Sequence, residues 1–258
     1  MRLWGDYRIN LLEDNPITLV DVGAAGGIHK RWNPYREVLK SILFEPDKEE
    51  YKKLIANKSE STLVINSALA EKSKLVDFNI CKWQEVSSIY IPNHSVLDRY
   101  EDSNRFEIDR TITLEADTID SLLQKENIEE IDFIKIDTQG SELDILKGAT
   151  NYFESLIGLE VEVEFIELYH KQPLFSEVNK FIESKGFSLI DLRKCYWKRK
   201  GKNNSNRKGQ LIYADALYLK VPENIIVLNN LNQEKIIKSI YIYLAYGYDD
   251  LARSLLCS

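Results

Sequence analysis

Residues 17–47, ITLVDVGAAGGIHKRWNPYREVLKSILFEPD, constrain the fold more than any other stretch. An apolar run closes on an acid, Asp21. A turn of small residues follows, Gly23-Ala24-Ala25-Gly26-Gly27. A helix-like segment then leads to a second apolar run, 41–44, closed by another acid, Glu45. The order is strand, tight turn, helix, strand. Two parallel strands need such a crossover, and it is right-handed in nearly all known cases. In open α/β sheets, ligands sit beyond the carboxyl ends of the strands, near the point where strand order reverses. The turn and both acids fall at such ends.

The lack of bulk at Gly23, Ala25 and Gly27 lets a ligand approach the backbone, and glycine admits the positive φ that a tight turn needs. Glu45 stands where an acid can hold the two hydroxyls of a ribose. The turn is not the dinucleotide fingerprint G-x-G-x-x-G. It reads G-x-A-x-G, with Asp21 two residues ahead. A pyrophosphate would bring negative charge near Asp21, whereas a positively charged ligand is favoured there. S-adenosylmethionine carries a ribose, an amino group and a sulfonium, and so suits both acids. The plainer reading is a tight turn with no ligand, since a lone glycine pattern says little. Two acids at two strand ends favour the nucleoside.

A chain of 258 residues suits one α/β domain with additions. Its 44% hydrophobic and 29% charged residues indicate a globular chain. The net charge of −7 argues against a general nucleic-acid binder. Cys81, Cys195 and Cys257 form no CxxC pair and are odd in number, so neither a disulfide framework nor a zinc site is expected. Residues 1–16 lack a signal-peptide core, and no apolar run is long enough to span a membrane. The expected location is cytoplasmic.

Three segments are expected: a lead-in, 1–16; an α/β domain, 17–222; and a helical tail, 223–258. After the opening unit comes a charged helix, 47–57, with Tyr51, Leu54 and Ile55 on one face. A third strand spans 62–70, and Ala68 and Leu69 at its carboxyl end are placed to flank an adenine ring. Strands are expected at 75–80, 87–91 and 111–114, with a polar excursion at 93–108. A helix covers 118–125. IDFIKI, 131–136, is a core strand ending at Asp137 and the turn Thr138-Gln139-Gly140. Ser141 is a candidate cap for a helix at 142–147, with Gly148 just past its end. Residues 156–166 alternate strictly, placing Glu160, Glu162 and Glu164 on one face. A helix at 176–186 precedes an antiparallel pair, 187–192 and 211–221, at one edge. The polar loop 198–208, KRKGKNNSNRK, lies between them. Two helices, 233–246 and 249–256, close the chain.

The chain resembles the FkbM family of S-adenosylmethionine-dependent methyltransferases. VDVGAAGG resembles the family's nucleoside-binding turn, FEPD its ribose-binding strand end, and KIDTQGSELDILKGA its signature. VINSALAE, SSIYIPN, TIDSL and EVEF are weaker matches. Together they cover about 17–219. The resemblance implies a class I methyltransferase fold, Rossmann-like: a mostly parallel seven-stranded sheet with flanking helices and an antiparallel last strand. Residues 17–222 are then the methyltransferase domain. It also implies O-methylation of a sugar, glycan or natural-product hydroxyl. Asp21, Gly23, Ala24, Ala25 and Gly27 would line the methionine part of the cofactor, Glu45 would take the ribose, and Ala68 and Leu69 would flank the adenine. Asp137 would face the methyl group or the acceptor. Gln139 stands where the family more often has glutamate, which weakens the case for a cation there.

Methyl transfer is an in-line displacement, and a sugar hydroxyl is a poor nucleophile, so a base is expected. Asp137, at the end of a central strand, is the first candidate; its plain role is to cap a turn. Glu162 is the second, against a solvated strand face shared with Glu160 and Glu164. His170 is the third, against an ordinary surface histidine, and His94 is weaker still. Oxygen ligands from Asp137, Glu142 and Glu162 would suit Mg²⁺, but spacing does not show that they converge, and no metal is assigned. The positive charges of 198–208 fit either a solvated loop or an acidic, nucleotide-linked acceptor. Two competing functions are a non-catalytic nucleoside-binding α/β module and a nicotinamide dehydrogenase. Intact acids at both strand ends speak against the first, the turn and Asp21 against the second. A homo-oligomer is left open.

Overall fold

The computed structural model describes residues 12, 14–24, 26–201, 208–228 and 232–256. Among these described residues ten strands follow in chain order: β1 Ile17–Val22, β2 Leu39–Phe44, β3 Thr62–Ile65, β4 Ala68–Leu69, β5 Lys74–Cys81, β6 Ile108–Asp117, β7 Phe133–Ile136, β8 Gly158–Glu164, β9 Ser188–Trp197 and β10 Gln210–Leu219. Seven of them form one sheet in the order β3-β2-β1-β7-β8-β10-β9. The pairs from β3 to β8 are parallel, and β10 runs antiparallel to both neighbours. This is the class I methyltransferase arrangement. The order reverses between β1 and β7, so the crevice at the switch point opens beyond their carboxyl ends.

Alternation along the strands divides the core. Val20, Val22, Ile134, Ile136, Val161 and Ala216 face a cluster closed by the helices Ile119–Lys125, Glu142–Lys147 and Phe175–Ser184. Leu19, Leu39, Phe133 and Leu217 face the opposite cluster, roofed by the 3₁₀ segment Lys30–Val38 and the helices Gln233–Ala245 and Asp249–Leu256. The segment after the glycine turn is thus 3₁₀ rather than a regular helix. Pro34 lies inside it and has no N–H for an α-helical ladder.

The tail packs against the sheet instead of standing apart. Asp132, 1% exposed, accepts from Lys235 at 2.8 Å and lies 3.1 Å from Lys238, and it also accepts the Thr18 N–H at 2.9 Å. Tyr246 stacks on Phe133 with ring centroids 5.1 Å apart. The structure adds one tail helix, Pro222–Leu228, to the two expected. The lead-in expected at 1–16 lies mostly outside the described residues, as do 202–207 of the basic loop and Cys257.

Several strand expectations need correction. The run 62–70 is two strands, because the Asn66 amide donates to the carbonyls of Glu45 and Pro46 and bends the chain. The second piece, β4, pairs with β6 in a separate sheet, β4-β6-β5. The expected strand 111–114 extends to the whole of β6. Residues 87–91 make no strand and contribute an isolated bridge between Ser88 and Asn79. The Glu160, Glu162 and Glu164 face is not solvated: all three are at most 8% exposed, since β8 is an inner strand covered on both faces.

Candidate active site

The site is built where β1, β2 and β7 end. Gly23 leaves β1 at φ +76°, its N–H donating to the Phe44 carbonyl at 3.2 Å. A Cβ on Gly23 would lie 2.0 Å from the Asp137 carbonyl oxygen, so only glycine lets this turn pass against the end of β7. The Asp137 N–H donates to the Val22 carbonyl at 3.1 Å, continuing the β1–β7 ladder past its last residues. A cleft of about 450 Å³ opens here. Gly23, Glu45, Ala68, Leu69 and Asp137 line it, together with Phe78 and Ile80 of β5 and Gln84 just after it, in the segment inserted between β4 and β6.

Glu45 follows β2 and is 6% exposed. It accepts the Asp47 N–H at 2.9 Å, and burial pushes its carboxyl up to about 7. A buried carboxylate beside an open cleft lacks the solvation its charge requires, and a pair of ribose hydroxyls would supply donors. Asp21 is also buried. Desolvation raises it to about 6 in spite of Lys135, whose Nζ is 3.4 Å from Asp21 Oδ1 and 3.8 Å from Asp137 Oδ2. Lys135 thus spans the two aspartates from β7.

Behind Asp137 the turn Thr138-Gln139-Gly140 is held from inside. The Glu142 carboxylate accepts the N–H groups of Thr138 at 2.8 Å and Gly140 at 2.9 Å, and burial raises it to about 7 against those bonds. Ser141 precedes the helix but does not cap it with its side chain; its hydroxyl donates to Thr138 Oγ1 at 2.8 Å. Gln139 takes φ +59° and lies between Asp137 and Glu162.

The structure brings Gly23, Glu45, Ala68, Leu69 and Asp137 to one cleft and places the other expected residues elsewhere. Asp21 sits one layer back, against Lys135. Ala24 packs with Leu43, Leu54 and Val64 in the core. Gly27 lines a neighbouring cavity of about 400 Å³. Ala25 lies outside the described residues. Glu162 is buried on an inner strand and is bridged to Asp137 by Gln139. His170 is exposed and off the cleft, its N–H donating to the Ile91 carbonyl. His94 is half-buried beside Asp98, Nδ1 3.3 Å from Oδ1. Among the described residues no group of three or more His, Cys, Asp or Glu side chains is placed to hold a metal. Sequence reasoning missed Lys135, Phe78 and Gln84. Lys135 had a signal, a lone charge inside IDFIKI immediately before the Asp137 turn.

A glycine turn at the switch point, a buried acid just after β2 and an acid just after β7 form a ligand cleft where open α/β sheets of this topology bind theirs, the arrangement of the class I methyltransferases. Residues 21–189 match the model of the methyltransferase FkbM domain, well over half of the chain. The chain belongs to the FkbM methyltransferase family, whose methyl donor is S-adenosylmethionine. Solved structures with similarity include TrmK of M. capricolum in complex with S-adenosyl-homocysteine, at 9% identity, TM-score 0.38, covering 97% of this chain and 94% of that one. An rRNA methylase from Streptococcus thermophilus shows 12% identity and TM-score 0.35, over 82% of this chain and 93% of that one. A SAM-dependent methyltransferase from Anabaena variabilis shows 8% identity and TM-score 0.37, over 79% and 76%. Scores of this size say nothing about the acceptor. No curated protein matches the chain. No helix among the described residues is long and apolar enough to cross a membrane.

Proposed function

We propose that the protein transfers a methyl group from S-adenosylmethionine to a hydroxyl oxygen of a sugar, glycan or natural-product acceptor. The observation that carries this reading is Asp137, a half-exposed carboxylate at the end of β7 that shares one cleft with Glu45 and Gly23. The cofactor supplies a methyl group already activated on a sulfonium sulfur. Glu45 accepts the ribose hydroxyls, Ala68 and Leu69 flank the adenine, and the turn at Gly23 leaves room for the methionine part. Asp137 orients the acceptor hydroxyl and takes its proton. Lys135 limits the repulsion between Asp21 and Asp137 while their charges favour a cationic cofactor. An acidic or nucleotide-linked acceptor would draw on Lys198, Arg199 and Lys200 after β9. The net charge of −7 favours a small acceptor over a nucleic acid, and the cysteine usage suits a cytoplasmic setting.

Calorimetry with S-adenosylhomocysteine tests the cofactor half: binding is expected in the wild type and lost in Glu45→Ala. Release of S-adenosylhomocysteine with methyl glycosides or nucleotide sugars as acceptors tests the other half. Turnover only with amine acceptors would overturn O-methylation.

A further inference from the structure

The Gln139 side chain is held at every polar atom. Its Nε2 donates to Asp137 Oδ1 at 3.1 Å and to Glu162 Oε1 at 2.6 Å. Its Oε1 is 3.1 Å from the Tyr169 hydroxyl, whose single proton is shared with the Val86 carbonyl. Its backbone carbonyl accepts from Ser88 Oγ at 2.7 Å. Tyr169 is 0% exposed and Glu162 8%, so the anchors are fixed by packing. The backbone adopts φ +59°, a left-handed conformation that a residue other than glycine takes at a cost of about 1 kcal/mol or more. That conformation lets the carboxamide reach both carboxyl groups from the turn. Two acids on adjacent strands, β7 and β8, require a donor between them, and an amide with two N–H groups serves each with one.

We propose that Gln139 is a positioning residue that aims the Asp137 carboxylate into the cleft, braced from behind by Glu162 and Tyr169. The proposal rests on the reading of Asp137 as the group that faces the acceptor. Its Oδ1 is occupied by Gln139, while Oδ2 has the Lys135 ammonium at 3.8 Å, beyond hydrogen-bond distance, and is the oxygen left to accept from the acceptor hydroxyl. Glu162 therefore serves as a buried anchor and not as the base itself.

The test separates positioning from plain charge repulsion. Gln139→Glu keeps the shape, removes both donors and places a third carboxylate between two others. In Gln139→Glu with Glu162→Gln, a donor again faces an acceptor across 139 and 162, but Asp137 Oδ1 still has none and Asp137 keeps only the Lys135 ammonium, 3.8 Å from its Oδ2. The double variant is expected to regain the wild-type Tm and bind S-adenosylhomocysteine within about threefold of wild type, while its crystal structure shows Asp137 in a new or mixed rotamer. With any methyl glycoside that gives turnover, kcat is expected to stay about tenfold or more below wild type at similar KM, since displacements near 1 Å cost that much or more. Should the double variant stay unstable, uncharged Gln139→Met is held to the same structural criterion. Asp137 found in its wild-type rotamer, or kcat recovering together with Tm, overturns the proposal. Asp137→Asn at full kcat removes the underlying reading of Asp137, and the proposal with it. An inactive Asp137→Asn beside a fully active double variant removes the positioning role alone.

Discussion

Replacing Glu45 with glutamine should make the ligand-free protein more stable and the enzyme worse. Burial carries this carboxyl from 4.5 to about 7. At about 1.4 kcal/mol per tenfold, that displacement corresponds to about 3 kcal/mol as an upper bound. Between those pH values the folded chain holds a proton that the unfolded chain has released. The contribution of this group to stability is therefore most favourable below pH 4.5 and is lost as pH rises through 7. The carboxamide of the variant has no charge to desolvate and can still accept the Asp47 N–H. Glu45→Gln should exceed wild type by about 1–3 kcal/mol above pH 8, about 3–9 °C in Tm for a chain of this size, and gain nothing near pH 4.5. Cofactor binding should move oppositely. Hydroxyl donors favour the anion, so wild-type affinity for S-adenosylhomocysteine should tighten from pH 6 to 8.5, while the variant binds about tenfold or more weakly with no such trend. Thermal melts and calorimetry at the two ends of the range read both effects. A stability difference independent of pH would refute the burial argument, and equal affinities would refute the ribose role.

Two further expectations concern packing. Gly23→Ala combines a positive φ with a Cβ 2.0 Å from a carbonyl oxygen, whereas Gly26→Ala has φ +83° and nothing within 4 Å. The first should lose S-adenosylhomocysteine binding and several kcal/mol, the second only about 1 kcal/mol by thermal melt; equal losses would remove the close-approach argument. Asp132→Ala removes the buried carboxylate between Lys235 and Lys238 and leaves them only the more exposed Glu130 and Glu234, at 3.5 and 3.4 Å, so chemical denaturation should show a loss of about 3 kcal/mol. A loss under about 1 kcal/mol would show that the tail is anchored by its apolar face alone.

The sequence displayed the opening unit because its signals are local: an apolar run, a turn without bulk, a second run, and acids at both ends. Gly23, Glu45 and Asp137 could be placed for the same reason, each marking a strand end. The edge pair β9 and β10 was visible as two runs joined by a polar loop. What escaped depends on tertiary cover. Alternation in β8 pointed its glutamates to water, but the strand lies inside the sheet, where Arg31 reaches Glu160 at 2.6 Å and Gln139 reaches Glu162. The break after β3 follows from one asparagine amide reaching two carbonyls 20 and 21 residues away, which no periodicity reveals. His170 follows β8 closely in sequence, yet the chain turns it to the outside. The polar contact that ties the tail to the sheet is made by Asp132, a residue that reads locally only as an acid at the start of a strand.

The inserted segment that supplies Phe78, Ile80 and Gln84 is continuous in the chain, from β5 onward, whereas the groups across the cleft come from the separate ends of β1, β2 and β7. Evolution can therefore rewrite one wall by altering a single unbroken stretch, without disturbing β1, β2 and β7. Diversity of acceptors among relatives should concentrate in residues 74–108, and a chimaera exchanging that stretch alone should inherit the acceptor of the chain that donated it.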